Sequence, residues 1–167
     1  MKILAIDPGY ERVGIAVIEK IEGEKKEKLI YSDCFRTSAK ISFEKRLFLI
    51  GSEIKKIINN FNPDNLAIEK LFFTTNQKTA MVVSEARGVI IYEASIKKIP
   101  IFEYTPLQIK IAITGYGKAT KNQIMEMTKK LLLIPEKTKK DDEFDAIAVG
   151  LTCSASYKKD SLLKLLK

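Results

Sequence analysis

The sequence predicts an α/β fold: a five-stranded mixed sheet, three strands antiparallel and then two parallel, flanked by helices. Three observations lead there. The chain opens on two apolar runs, Lys2 to Asp7 and Arg12 to Glu19, parted only by a bend at Pro8-Gly9, which is hairpin spacing. A third run, Leu29 to Arg36, follows a charged turn through Glu22 to Lys28 and extends the antiparallel set. Two more runs, Asn65 to Leu71 and Pro100 to Tyr104, flank a helical stretch from roughly Lys78 to Lys97, a crossover that sets its two strands parallel.

The first strand reads as the buried centre. Ile3, Leu4, Ala5 and Ile6 are continuously apolar, and Asp7 puts a carboxylate at the tip, where the chain breaks and a ligand can reach it. After the third strand, Ser42 stands as an N-cap. Leu47, Ile50, Ile54, Ile57, Ile58 and Phe61 then recur on one helical face, and Pro63 stops the helix. In the crossover helix Met81, Val82, Val83, Ala86, Val89, Ile90, Ile91, Ala94 and Ile96 make an apolar surface too wide for one stripe. Its excess width packs either on a neighbouring helix or on a second subunit. Thr105-Pro106 and Thr120-Lys121-Asn122-Gln123 open two further helices, with Pro at the first helical position in one and capping-box spacing in the other. The last helix is predicted from about Asp142 to Ser156, followed by a leucine-rich tail, Leu162 to Leu166, that packs back on the body.

With 167 residues, 46% of them hydrophobic, the chain is expected to form one domain over residues 1–167. No run of 18 uncharged apolar residues exists, and strand pattern begins at once where a signal peptide would stand, so a soluble, cytoplasmic protein without a membrane partner is expected. Cys34 and Cys153 match no CxxC spacing and are expected to be reduced thiols. The absence of histidine removes Ser-His-Asp triads, HExxH proteases and His-ligated zinc, leaving carboxylate chemistry for hydrolysis. The net charge of +8 suits a polyanion. Arginine is scarce, at positions 12, 36, 46 and 87 alone. The bidentate reading of guanine usually falls to arginine, so sequence-blind contact with a phosphate backbone is favoured.

Four acids carry the chemistry. Glu69 sits in an apolar strand, where an ionised group costs several kcal/mol unless something charged or hydrogen-bonding meets it. Asp142 and Asp145 are three apart and share one helical face. Each of these acids and Asp7 stands at the end or edge of an element, so all four can converge. Oxygen donors without histidine or paired cysteine select a hard divalent ion, Mg²⁺ or Mn²⁺. Two such ions roughly 3.5–4 Å apart suit phosphodiester hydrolysis. The residues therefore point to a metal-dependent phosphoryl hydrolase acting on nucleic acid.

Ile6-Asp7-Pro8-Gly9, Ala67-Ile68-Glu69, Ser84-Glu85-Ala86-Arg87-Gly88, Phe102-Glu103-Tyr104 and Asp142-Glu143-Phe144-Asp145-Ala146 resemble, in order from Lys2 to about Ser156, the RuvC-type Holliday junction resolvases. The resemblance implies an RNase H-like fold and a homodimer, formed here through the Lys78–Lys97 helix, that nicks two like-polarity strands of a four-way DNA junction in recombination and repair. It implies that Asp7, Glu69, Asp142 and Asp145 are the catalytic, metal-binding acids, with two Mg²⁺ per site, and that a branch-migration helicase escorts the enzyme. It also implies DNA contacts for Phe72, as an aromatic that stacks on an unpaired base and that Phe73 could replace, and for Lys110, Lys121 and Lys118.

Two other readings bear on the same residues. A strand-end Asp-x-Gly also opens the phosphate site of actin-like ATPases, but the chain has no second phosphate loop, and Gly117-Lys118-Ala119 fails as a P-loop because Ala112 and Ala119 occupy required positions. A non-catalytic RNase H-like binding protein would lack acids that are all present here.

Overall fold

The computed structural model describes the chain except residues 25, 72–76, 133, 135–140 and 166–167, and describes backbone alone at 77–79 and 158–165. Strands β1 (Lys2–Asp7), β2 (Arg12–Glu19) and β3 (Lys28–Arg36) form an antiparallel meander. β4 (Asn65–Glu69) and β5 (Ile101–Tyr104) join the other side of β1 in parallel, so the order across the sheet is β3-β2-β1-β4-β5. This is the mixed sheet that the sequence predicts. β4 is shorter than expected and ends at Glu69, which leaves that carboxylate at a strand tip.

Both faces of β1 are covered, which is why its run is continuously apolar: Ile3, Leu4, Ala5 and Ile6 have no exposed surface. On one face Leu4, Ile6, Ile15, Val17, Leu66 and Ile68 meet α1 (Phe43–Phe61) and α2 (Gln77–Ile96). α1 contributes Ile50, Ile54, Ile57 and Ile58, and α2 contributes Ala86, Ile90 and Ala94 at successive turns. Each branched side chain buried there stabilises the fold by about 1.5–3 kcal/mol. α1 begins after Ser42 as predicted, but the Ser42 hydroxyl donates to Glu44 and caps no backbone N–H.

The other face carries α3 (Pro106–Thr114), α4 (Lys121–Leu131) and α5 (Asp141–Leu165). Thr105 and Thr120 each form a complete capping box, with Gln108 and Gln123 as the reciprocal partners, so both sequence-predicted starts are found. Helix α5 lies low on the sheet. Beneath it are the small residues Ala5, Ala16 and Ala67, and a Cβ added at Gly150 would stand 2.6 Å from Ile18 Cδ1 and 3.0 Å from Ala5 Cβ. The same helix corrects one expectation: it runs on to Leu165, with no separate tail beginning after Ser156. Neither Gly nor Pro follows Gly150, so nothing in the backbone stops it. The two cysteines are free and buried, as expected. Among the described residues no helix is long and apolar enough to cross a membrane.

Candidate active site

Strand alternation selects which side chains meet. Residues of one parity, Ile3, Ala5 and Asp7 on β1 and Ala67 and Glu69 on β4, face α5. Ile6 pairs with Ile68, so Asp7 and Glu69 leave adjacent parallel strands at the same end. Asp7 also pairs with Gly14, and Gly14 with Cys34, giving one row across β1, β2 and β3. The first turn of α5 descends on this row. A Cβ at Gly14 would lie 2.1 Å from the Asp142 carbonyl oxygen and 3.1 Å from Asp7 Cβ, so only glycine lets the helix backbone come that close.

The approach brings the four predicted acids into one electrostatic field. Burial pushes the Asp7 carboxyl up to about 8, and the charges of Glu69, Asp145 and Asp142 push the same way. Burial and Asp145 raise Glu69 to about 7, and burial raises Asp145 above the usual carboxylate range. Glu69 does not stand on an edge strand, since β4 lies between β1 and β5, and its carboxylate is part-buried at the strand end.

Two cations answer the acids. Lys121 Nζ stands 3.0 Å from Asp145 and 3.6 Å from Asp141, and Arg12 Nη1 stands 3.8 Å from Asp142. Burial alone would lower the Lys121 pKa, but its two aspartates outweigh it and hold the ammonium above its ordinary value. Cys34 Sγ donates to Asp142 at 3.3 Å. The neighbouring acids are sorted by the helix: Asp141 is largely exposed, whereas Glu143 turns into the core and accepts from Ser32 Oγ at 2.8 Å.

Beside Glu69 and Asp145 opens a cleft of about 200 Å³, lined also by Pro106, Ile109 and Lys110. Lys121 thus contacts the acids from α4, and Lys110 of α3 lines the cleft beside them. Lys118 is exposed in the turn between α3 and α4 and does not line this cleft. Phe72 and Phe73 lie outside the described residues.

Sequence reasoning missed Gly14, Arg12 and Cys34 as parts of the site. The only sequence signal for Gly14 was a glycine inside an apolar strand, which often marks a close backbone approach.

The donor set suits a hard divalent ion. All four carboxylates are oxygen donors, and the raised proton affinity of Asp7, Glu69 and Asp145 reflects burial together with neighbouring negative charge. The Lys121 ammonium stands in for a cation at Asp145. Among the described residues, however, no three acids or thiols close into a finished cage, consistent with Lys121 and Arg12 holding the α5 pair to themselves.

Residues 3–153 match the family profile described as Crossover junction endodeoxyribonuclease RuvC. The chain belongs to the RuvC family. RuvC from Halothermothrix orenii is 45% identical over 158 residues, 95% of this chain and 94% of that protein. RuvC from Alkaliphilus metalliredigens is 44% identical over 165 residues, 99% of each. Among solved structures, the fold is similar to T. thermophilus RuvC in complex with Holliday junction substrate, with a TM-score of 0.89, 27% identity and 96% of each chain covered. The yeast mitochondrial Holliday junction resolvase Ydc2, at a TM-score of 0.69 and 13% identity, shares the architecture alone. RuvC membership makes this chain a nuclease of the crossover junction endodeoxyribonuclease class, on the RNase H-like sheet expected from the sequence.

Proposed function

We propose that the chain resolves four-way DNA junctions as a homodimer, by Mg²⁺-dependent hydrolysis at the Asp7, Glu69, Asp142 and Asp145 site. The observation that carries this reading is the gathering of acids on touching elements, with Asp7, Glu69 and Asp145 raised by burial and by neighbouring carboxylates, in a chain of the RuvC family. Asp7, Glu69, Asp142 and Asp145 would hold one or two Mg²⁺ ions. A bound Mg²⁺ supplies Lewis-acid stabilisation of a phosphoryl oxygen and lowers the pKa of water.

The protein's own groups do the rest. Asp7 is fixed between β2 and β4, and its carboxyl gives up a proton as positive charge approaches. Lys110, at the cleft wall, and Lys121, half-exposed on α4, present ammonium groups to a phosphate backbone beside the acids. Lys118, exposed in the turn before α4, adds positive charge for the DNA backbone, and Phe72 or Phe73, outside the described residues, is assigned base stacking by the family resemblance alone. Once DNA and metal compete for its partners, Lys121 can turn from Asp145 to the phosphate under attack. Lys121→Ala is therefore expected to lower the single-turnover rate at least tenfold, with junction affinity changing less than threefold, because a fixed cation counts most as charge develops in the transition state. Equal losses in rate and affinity would reduce Lys121 to a general DNA contact.

The dimer reading rests on the outer face of α2. Met81, Tyr92 and Ile96 are 65%, 62% and 55% exposed, and Gly88, between them, has open space where a side chain would be. Helix α2 buries Ala86, Ile90 and Ala94 inward and sets Val89 against Gly51 of α1, so part of the width noted in the sequence packs on a neighbouring helix. The stripe of Met81, Tyr92 and Ile96 is what we assign to a second copy. A purified mixed dimer of wild-type and Asp7→Asn subunits is expected to nick a plasmid-borne cruciform once and leave an open circle, where the wild type gives linear DNA. Linear product at wild-type yield, or full activity from a monomer, would overturn the paired-site reading. Matched four-way, duplex and single-stranded substrates with Mg²⁺ test the substrate itself: strong preference for the junction is expected, lost in excess EDTA.

A further inference from the structure

Arg87 is one of only four arginines in the chain, and none of the roles above uses it. It lies on α2, next to Gly88 of the outward face, but its own side chain turns inward and is 17% exposed. Nε donates to the Glu69 carbonyl oxygen at 3.4 Å, and Nη2 stands 3.0 Å from Glu103 Oε1 on β5. That second contact is charge facing charge off the hydrogen-bond line, since Nη2 is buried without a hydrogen-bond partner.

The peptide after Glu69 is thereby held on both sides. Its C=O accepts from Arg87, and the N–H of Lys70 donates to the Tyr104 carbonyl at 2.8 Å. On the other flank β1 turns away at Pro8, which has no N–H to give. Stability is a weak reason for an arginine here. A largely buried guanidinium loses hydration, and its carboxylate partner is 42% exposed and free to turn to water. What the fork supplies is a fixed distance between three elements: α2, the catalytic tip of β4, and β5. Lysine, a point charge on a flexible stem, cannot hold both anchors in one geometry.

We infer that Arg87 is a positioning residue for Glu69, clamping the end of β4 to α2 and to Glu103 so that the Glu69 carboxylate keeps its place in the site. This rests on the reading of that site as the nuclease centre. It also ties the carboxylate to the helix whose outer face is free for a second subunit.

The test uses the full-length protein, a four-way DNA junction and Mg²⁺ or Mn²⁺. Arg87→Lys is expected to lower the single-turnover rate at saturating protein about tenfold, as small displacements of reacting groups do. Junction affinity without divalent metal stays within about twofold, and Mn²⁺ binding, read by electron paramagnetic resonance in the absence of DNA, weakens about threefold or more. Glu103→Gln lowers the rate about threefold alone and adds nothing to Arg87→Lys, because one clamp is being removed twice. Wild-type rate and Mn²⁺ affinity in Arg87→Lys, or additive losses in the double variant, would overturn the inference. Should Arg87→Lys prove poorly folded, Glu103→Gln carries the decision through the same rate and Mn²⁺ readouts. A wild-type protein that cuts no junction would refute the functional reading itself, a result separate from an active wild type matched by its Arg87 variant.

Discussion

Asp7→Asn is expected to end cleavage while making the metal-free protein harder to melt. Asparagine keeps the shape at the tip of β1 but cannot carry the charge that binds metal, so the rate should fall by about 10³ or more, the scale at which removal of one preorganised electrostatic group is felt. The gain in stability follows from the same carboxyl. Its pKa is about 8 in the fold against 3.8 as an isolated side chain. Between those values the native state holds a proton that the unfolded chain has lost, so stability is greatest below the lower one and falls as pH rises through the window. Glu69, raised from 4.5 to about 7, acts in the same direction. Near pH 8 the substitution should therefore recover about 2–3 kcal/mol, allowing for the water that the part-buried carboxyl still meets. For a chain of this length that is roughly 5–10 °C in melting temperature. At pH 4 the gain should vanish. Mg²⁺ should stabilise the wild type more at pH 8.5 than at pH 5.5, since binding competes with protons. Scanning calorimetry at these pH values checks all of this, and an Asp7→Asn protein no more stable than wild type at pH 8 would contradict the crowded-acid account.

The second large effect is expected at a residue that carries no functional group. In Gly14→Ala a methyl would stand 2.1 Å from the Asp142 carbonyl oxygen, an overlap with backbone that no rotamer relieves. Helix α5 must lift or tilt, and Asp142 and Asp145 move with it. The stability cost is about 1–3 kcal/mol, as for other overpacked sites. The rate loss should be far larger than that cost explains, about 100-fold at a temperature where the variant is folded, because displacement by about an ångström is enough. Circular dichroism gives the folded fraction and single-turnover cleavage the rate. A folded Gly14→Ala enzyme at wild-type rate would mean that α5 is not held by this contact. Gly14→Ser should behave alike, which separates sterics from any polar role.

The two variants divide what sequence can and cannot disclose. Asp7 and Glu69 were legible because a charged residue at the end of an apolar run has no cheap structural explanation, and Asp142 with Asp145 because their spacing puts both on one helical face. Thr105 and Thr120 announced their helices through local hydrogen bonding, which the chain spells within four residues. Gly14, Cys34 and Arg12 act through elements more than a hundred residues away, by a register that only the assembled sheet defines. Ser42 misled because an N-cap residue type fits the position while its hydroxyl is taken by Glu44. The extent of α5 was lost for lack of a stop signal: a weakly amphipathic stretch of Ser, Lys and Leu does not say whether it continues a helix or leaves it.

The low seat of α5 on its floor of alanines and glycines also sets a timescale. From Ala146 to Cys153 the helix has almost no residue in contact with water: Ala146, Ile147, Val149 and Cys153 are wholly buried, with Ala148, Leu151 and Thr152 nearly so. Amide protons in such a segment exchange with solvent only when the whole structure opens, whereas mobile binding loops exchange through small local fluctuations. Asp142 and Asp145 are thus mounted at the start of a segment whose burial predicts slow exchange. On the proposed reading, a backbone so held leaves the adjustments needed to admit metal and phosphate to exposed side chains such as Lys121, which reorient on the picosecond-to-nanosecond scale.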